Sequence, residues 1–185
     1  QRLGELILNR RQPQNTDASL APEKIRQALV DALRRDGRLP WSDDDQSLLG
    51  RLRLLNRVLG EPWPDVSDEA LLRTVDVWLG PHLHGIRRLE QVKRLPLAAL
   101  LVQSLDWSLQ KQLDQLTPTH LHVPSGSSIR LDYRGDEPVL AVKLQELFGQ
   151  TDTPTIINGK VPLLIHLLSP ARRPVQVTRD LAGFW

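Results

Sequence analysis

The spacing of apolar residues divides the chain into a helical part and a part made of short strands. Between Pro22 and Leu116, apolar residues recur every three or four positions, which places them on one face of a helix. The predicted helices run from Pro22 to before Gly37, from Ser42 to before Gly60, from Ser67 to before Gly80, and from Pro96 to about Leu116. Between the last two helices, we predict a loop with at most one helical turn at 82–95.

From Thr117 onward the pattern changes to alternation between apolar and polar residues, which is typical of half-buried strands. Residues 119–123 and 128–133 alternate on either side of a turn and predict an antiparallel hairpin. The pair Asn158-Gly159 predicts a second hairpin, because both central residues of a type I′ turn need positive φ. This turn pairs 155–157 with the start of the apolar run 160–170, which we predict to be a buried strand.

Three more elements complete the last part of the chain. Residues 138–148 carry apolar side chains at helical spacing and predict a helix that Gly149 ends. Residues 173–177 predict a short strand. Thr178 is then the predicted N-cap of a helix that starts at Arg179.

These elements predict an α+β fold in three segments. Residues 1–21 form a strand and linker, which we interpret as the remainder of a preceding β-domain. Residues 22–116 form a helical subdomain. Residues 117–185 form a small module of two β-hairpins with one or two helices, which we expect to be truncated at its end because its last helix is so short.

Composition excludes several classes of site. The 185 residues contain no cysteine, so neither a disulfide nor a thiolate metal site is possible, and the formal net charge is only +2. No apolar run approaches the roughly 20 residues of a membrane-spanning helix, so we expect a cytoplasmic protein without membrane contact. Neither G-x-x-x-x-G-K-[ST] nor G-x-G-x-x-G occurs, so we expect no ATP hydrolysis and no bound cofactor in this chain.

Histidine and tryptophan provide weaker candidates. His120 and His122 share a strand face and are metal-ligand candidates, but a solvated face explains them better because zinc takes three or four protein ligands. His166 lies within the apolar run and is better explained as a core histidine. Trp41 and Trp63 lie beside prolines in predicted loops. Such tryptophans either stack on nucleic-acid bases or fill gaps against a neighbouring helix, and we favour the packing role.

Three strings connect the chain to a known family. Two are Leu140-Ala-Val-Lys-Leu-Gln-Glu-Leu-Phe-Gly149 and Gly159-Lys-Val-Pro-Leu-Leu163. The longest, at 169–185, is Ser-Pro-x-x-Arg-Pro-x-Gln-x-Thr-Arg-Asp-Leu-x-x-Phe-Trp. Together they resemble the C-terminal domain of bacterial HrpB-type helicases of the DEAH-box class. Looser agreement extends to Pro62-Trp-Pro-Asp65 and Leu105-Asp-Trp107.

The resemblance implies the C-terminal region of an ATP-dependent RNA helicase. The parent enzyme then binds ATP and Mg²⁺ in motor domains that precede this region. The expected partners of the region are those motor domains and single-stranded nucleic acid, in particular RNA. The expected role is a non-catalytic one, shaping or guiding the nucleic-acid path. The alternative is a purely structural or protein–protein interaction module.

Arginines supply the candidate site. Arg172 and Arg173 lie in a proline-flanked turn, and Arg179 lies at the predicted helix start, where backbone N–H groups favour an anion. We predict that these three side chains contact nucleic-acid phosphates without reading sequence. The competing interpretation is that Arg179 pairs internally and that Arg172 and Arg173 are inert surface.

Overall fold

A computed structural model describes residues 20–185, and the predicted strand and linker at 1–21 fall almost wholly outside this range. Eight α-helices are found in the described range: Leu20–Asp36 (α1), Asp43–Leu59 (α2), Asp68–Arg73 (α3), Val75–Trp78 (α4), Leu89–Val92 (α5), Leu97–Gln103 (α6), Trp107–Leu116 (α7) and Leu181–Phe184 (α8). The strands of the same range are His120–His122 (β1), Ser128–Arg130 (β2), Val139–Lys143 (β3), Thr155–Ile156 (β4), Val161–Pro162 (β5), Leu164–Leu168 (β6) and Pro174–Thr178 (β7). The predicted α+β class is confirmed.

The chain folds as two compact units. The helical unit contains residues 20–42 and Ser67–Leu101, and the strand unit contains Asp43–Val66 and Val102–Trp185. This division differs from the predicted boundary between 116 and 117. Helices α2 and α7 fall in the same unit as the strands.

In the helical unit, most of the predicted helical pattern is confirmed, but one predicted helix is divided into two. Ser67 caps α3 as predicted, and its hydroxyl accepts a hydrogen bond from the Ala70 amide at 3.2 Å. The predicted third helix is wrong in its continuity, since it breaks at Thr74 into α3 and α4. Arg34 stabilises the break by donating to the Leu72 carbonyl at 3.0 Å and to the Asp76 carboxylate at 3.1 Å.

The prediction of one long helix from Pro96 to Leu116 is also wrong. Helix α6 ends at Gln103 and α7 begins at Trp107. Within the strand unit, the Gln110 side-chain amide donates to the carbonyls of Gln103, at 3.3 Å, and Leu105, at 2.8 Å. These bonds satisfy backbone groups that the interruption leaves without a helical partner.

Both predicted hairpins are confirmed. Strands β1 and β2 pair antiparallel, with His120 opposite Arg130 and His122 opposite Ser128. Strands β4 and β5 pair antiparallel around the predicted turn, where Asn158 has φ 54° and Gly159 has φ 82°. Ile157 also has positive φ, at 53°, and its amide donates to the Leu116 carbonyl at 2.9 Å. Ile157 therefore has a strained backbone conformation for a β-branched residue, and its burial and this hydrogen bond hold it in place.

The predicted helix at 138–148 is wrong. Residues Val139–Lys143 form β3, which pairs in parallel with β6, and only Leu144–Leu147 form a 3₁₀ turn. Leu140 and Val142 are buried on one face of β3. Pairing with the buried β6 overrides helical spacing here, because β-branched residues suit a pleated surface and the spacing of short apolar runs is ambiguous.

The central sheet of the strand unit has the order β3-β6-β7, with β7 antiparallel to β6. The apolar run forms a strand, as predicted, and this strand, β6, lies in the middle of the sheet, although the first residues of the run belong to β5. The predicted cap of the last helix is wrong. Asp180, not Thr178, caps α8, and its carboxylate accepts from the Gly183 amide at 2.9 Å.

Helix α2 packs directly against the chain that leaves β2. A Cβ atom at Gly50 would lie 1.9 Å from the Tyr133 carbonyl oxygen, so only glycine fits at this crossing. Tyr133 is buried, and its hydroxyl donates to the Pro118 carbonyl at 2.5 Å. This contact explains why α2 belongs to the strand unit.

Candidate nucleic-acid interface

Arginines that form groups in the sequence have different surroundings in the structure. Arg51 is buried in the strand unit, where its Nε donates to the Thr117 carbonyl at 2.9 Å and to the Thr117 hydroxyl at 3.2 Å. Its Nη2 donates to the Asp114 carboxylate at 2.5 Å. Thr117 is fully buried and donates to the Leu113 carbonyl at 2.8 Å. Arg51 therefore holds α2 against the end of α7 and is unavailable to a ligand.

Arg179 is engaged in an ion pair with Glu137. Its Nε donates to Glu137 Oε1 at 2.8 Å, and its Nη2 donates to Oε2, so the pair is bidentate. The hydrogen bonds from Arg179 hold the pKa of Glu137 below its ordinary value. Arg179 also precedes the Asp180 cap and is not within the first turn of α8. The internal pairing matches the competing interpretation, with Glu137 as the partner.

Arg172 and Arg173 lie in a hydrogen-bonded turn, the arginine turn at 169–173, which joins β6 to β7. The Ser169 amide donates to the Arg173 carbonyl at 2.8 Å, and the Arg172 amide donates to the Ser169 carbonyl at 2.7 Å. The Arg173 amide also donates to the Ser169 hydroxyl at 3.2 Å. Within residues 20–185, neither guanidinium group forms a hydrogen bond or an ion pair, and both side chains are exposed.

The structure separates the three predicted residues into two places. Arg172 and Arg173 precede β7, whereas Arg179 follows it at the opposite end of the strand. The backbone of Arg172 adopts φ 65°, in the left-handed region that favours glycine. A cationic side chain is thus displayed from a backbone position that disfavours any side chain.

Arg172 also lines a cleft between β2 and β3, which has a volume of about 550 Å³. Arg130 from β2 and Lys143 at the end of β3 line the same cleft, with Glu146 as the only carboxylate among the described lining residues. Glu146 accepts hydrogen bonds from the hydroxyls of Ser127, at 2.6 Å, and Ser125, at 3.3 Å. The cleft therefore contains three cations and one carboxylate that already has hydroxyl partners.

Sequence reasoning did not single out Arg130 and Lys143 as site residues. The sequence places Arg130 on a predicted strand and Lys143 in a predicted helix, and both residues precede Arg172 by more than 25 positions. Only the parallel pairing of β3 with β6 brings Lys143 level with Leu168, just before the arginine turn. The wrong helix prediction at 138–148 concealed this arrangement.

The remaining candidates have structural explanations. Trp63 is buried, and Trp41 stacks on Trp78 with ring centroids 6.2 Å apart and donates to the Asp68 carboxylate at 2.7 Å. The packing interpretation of both tryptophans is therefore confirmed. Among residues 20–185, no group of three His, Asp or Glu side chains is placed to hold a metal ion. In the same range, no helix has the length and apolarity needed to cross a membrane.

Comparison with known proteins identifies the family. The sequence profile of the ATP-dependent helicase C-terminal family (HrpB_C) matches residues 78–185. The chain is 42% identical over 174 residues to the ATP-dependent RNA helicase HrpB of Escherichia coli (strain K12), which covers 91% of this chain and 21% of that protein.

Solved structures agree with this relationship. The crystal structure of the E. coli DExH-box NTPase HrpB superposes with a TM-score of 0.82 at 39% sequence identity. The match covers 94% of this chain and 21% of the HrpB chain. The crystal structure of the E. coli DEAH/RHA helicase HrpB superposes with a TM-score of 0.78 at 38% sequence identity. This match covers 98% of this chain and 23% of the HrpB chain. The chain belongs to the ATP-dependent helicase C-terminal family. It spans about a fifth of the length of the relatives that it matches.

Proposed function

We propose that this chain is the non-catalytic C-terminal accessory region of a cytoplasmic ATP-dependent RNA helicase. In this role it guides single-stranded nucleic acid, in particular RNA, along the motor domains of the same parent chain. The observation that carries the proposal is the arginine turn. It displays two exposed guanidinium groups that have no partner among residues 20–185, on a backbone that three hydrogen bonds hold in place.

A fixed turn suits phosphate contact for a physical reason. Each long side chain loses rotamer freedom when it binds, but a backbone that hydrogen bonds already constrain loses less than a free loop would. Guanidinium groups match the geometry of phosphate oxygens, and such contacts carry affinity without sequence preference. Arg179 contributes less in this proposal, because binding a phosphate would require it to leave Glu137.

ATP and Mg²⁺ belong, in this proposal, to the motor of the parent chain. The residues present do not fit either group. The sequence contains no glycine-rich phosphate loop, and the described residues contain no cluster that is placed to hold a metal. The purified chain should therefore show no ATP turnover above a buffer control, with or without RNA.

The test is binding of a fluorescein-labelled oligouridylate, measured by anisotropy over a range of salt concentrations. The variant Arg172→Ala/Arg173→Ala should bind more weakly, and its log–log salt slope should be flatter by about 0.7 for each lost phosphate contact. Arg38→Ala/Arg53→Ala removes the same charge from exposed positions outside the turn and serves as the control. Wild-type affinity and slope in the arginine-turn variant would refute the proposed role of the turn.

A second candidate is a protein-docking role. Val175 and Val177 project from β7 and are 61% and 50% exposed, and β7 is an edge strand of the central sheet. Exposed apolar residues on an edge strand are typical of contact surfaces. If no oligonucleotide binds at low salt, while Val175→Ser/Val177→Ser disrupts the activity of the full-length parent, the docking role is the better explanation.

A further inference from the structure

We propose that the cleft between β2 and β3 binds the sugar-phosphate backbone of a single nucleic-acid strand, with Arg130, Lys143 and Arg172 contacting its phosphates. This inference rests on the proposed function and makes it more specific. It extends the candidate surface from the arginine turn to two residues on other elements. Strand topology, charge, the adjoining hairpin face and the backbone of Arg172 support it.

Topology opens the cleft. The chain that leaves β2 is joined to β3 at a single bridge, in which Asp132 and Val139 exchange two backbone hydrogen bonds of 2.9 Å. Beyond that bridge, no ladder continues between Ser128–Arg130 and Val139–Lys143. The Leu131 amide donates to the carbonyl of Thr119, which precedes β1, whereas the Asp132 amide donates to the Val139 carbonyl in β3. The backbone polar groups of successive residues therefore point alternately toward β1 and toward β3. Backbone polar groups of Ser128 and Arg130 therefore face the cleft.

Charge gives the cleft its preference for an anion. Arg130, Lys143 and Arg172 come from β2, β3 and the arginine turn, so their convergence depends on the fold and not on a local run of basic residues. None of the three side chains forms an ion pair or hydrogen bond with residues 20–185. In an open cleft, unpaired cations of this kind attract a polyanion and release its counterions.

The adjoining face of the β1–β2 hairpin favours a nucleic acid over an acidic peptide. His120 lies opposite Arg130, and His122 lies opposite Ser128, so the four side chains share one face, on which all are exposed. Imidazole rings stack on unpaired bases, and single-strand sites combine such platforms with a cationic groove. An acidic peptide would use the cations but would have no need of the stacking surface.

The backbone of Arg172 supports the same conclusion. Its φ of 65° is a strained position for any residue except glycine. The strain is explained if the guanidinium group is required at the mouth of the cleft. An inert surface turn would be served better by glycine at this position.

The first experiment compares two charge-matched variants of the chain. Arg130→Ala/Lys143→Ala changes the cleft, whereas Arg53→Ala/Lys160→Ala removes the same charge from exposed positions outside it. The probe is labelled oligouridylate of about 12 nucleotides, within the usual range of single-strand site sizes. We expect the dissociation constant of the cleft variant to rise on the order of tenfold, and its salt slope to flatten by about 1.4, or two contacts. The control should change both much less.

The second experiment detects proximity directly and does not depend on affinity. Because the chain has no cysteine, Ser128→Cys and Lys160→Cys each create a unique thiol for a photo-crosslinking maleimide. We expect the RNA to crosslink from position 128, beside the cleft, and not from position 160.

The outcomes distinguish the cleft from the proposed function. If Arg172→Ala/Arg173→Ala weakens binding while the cleft variant equals its control and position 128 does not crosslink, the cleft is refuted and the proposed function survives. If the unmodified chain binds no oligonucleotide at low salt, both are refuted. If polyglutamate binds as tightly as RNA and the cleft variant weakens both equally, the site recognises acidic protein and the inference is overturned.

Discussion

Arg51 and Arg172 lie in the same compact unit, but their guanidinium groups have opposite surroundings. Arg51 is buried in α2 and donates to both oxygens of the fully buried Thr117. Arg172 is exposed in the turn between β6 and β7 and has no side-chain partner among residues 20–185. One arginine satisfies a buried backbone group, while the other is held by its backbone and left available to solvent. Substitutions at the α2 junction, where Gly50 meets Tyr133 and Arg51 meets Thr117, should therefore affect stability, and substitutions at the arginine turn should affect binding.

The largest effect on stability is expected from Gly50→Ala. The added Cβ would lie 1.9 Å from the Tyr133 carbonyl oxygen, which belongs to the backbone and cannot move without displacing the strand. Overpacking against a backbone atom at this distance costs more than the usual ~1–3 kcal/mol, so even after the roughly 1 kcal/mol that alanine gains over glycine within a helix we expect a net loss above about 3 kcal/mol. Urea unfolding followed by circular dichroism measures the change.

Gly135→Ala is the matched control, because a Cβ there meets no atom within 4 Å. It should leave the free energy of unfolding within about 0.5 kcal/mol of the wild type, as a surface substitution does. Equal stability of the two variants would show that α2 does not pack on Tyr133 as described.

Arg51→Ala is expected to destabilise the chain by about 2–3 kcal/mol. The substitution leaves the buried Thr117 carbonyl without its donor, and it removes the apolar stem of a packed side chain. The Asp114 carboxylate contributes little to this loss, because its side chain is 83% exposed and regains water. Arg53→Ala, on the exposed side of the same helix, provides the comparison by thermal or urea unfolding. A similar loss in both variants would contradict a special role for Arg51.

The sequence predicted the α+β class, both hairpins and the family, because these depend on local alternation, turn chemistry and an unusually specific C-terminal string. It did not predict β3, since the spacing of Val139–Lys143 fits a helix until the parallel pairing with β6 is known. The same limitation affected the site. Arg172 and Arg173 were recognised from their turn, but Arg130 and Lys143 join them only through the tertiary pairing of separate strands. The buried role of Arg51 was not predicted, because burial cannot be read from the position of a charged residue in the sequence.

Tyr133→Phe is expected to cost about 1 kcal/mol, because the Pro118 carbonyl loses its hydrogen-bond donor. Burial of the Tyr133 hydroxyl raises its pKa well above the ordinary value near 10. A raised pKa in the folded state contributes stability that is fully present below the unfolded pKa of about 10 and is lost as pH increases beyond it. The wild type should therefore lose stability above pH 10 more steeply than Tyr133→Phe.

Absorbance gives an independent measurement of this effect. Tyr133 is the only tyrosine of the chain, so the tyrosinate absorbance reports on it alone. In the folded protein this signal should appear at higher pH than in the unfolded chain. A titration near pH 10 in the folded state would show that the hydroxyl is accessible to solvent.

The smallest effect on stability is expected from Arg172→Gly, because two opposing contributions nearly cancel. Glycine relieves the left-handed strain at φ 65°, a gain of about 1 kcal/mol, but it also gives the unfolded chain more freedom, a loss of about 0.5–1 kcal/mol. The net change in the free energy of unfolding should lie within a few tenths of a kcal/mol of zero.

RNA binding should nevertheless weaken, because the guanidinium group is gone. Arg172→Ala separates the two contributions: it removes the same charge and keeps the strain, so it should match Arg172→Gly in RNA affinity and be no more stable. If Arg172→Gly binds RNA as tightly as the wild type, the strained backbone has no explanation in binding, and the arginine turn resembles the α2 junction in serving the fold alone.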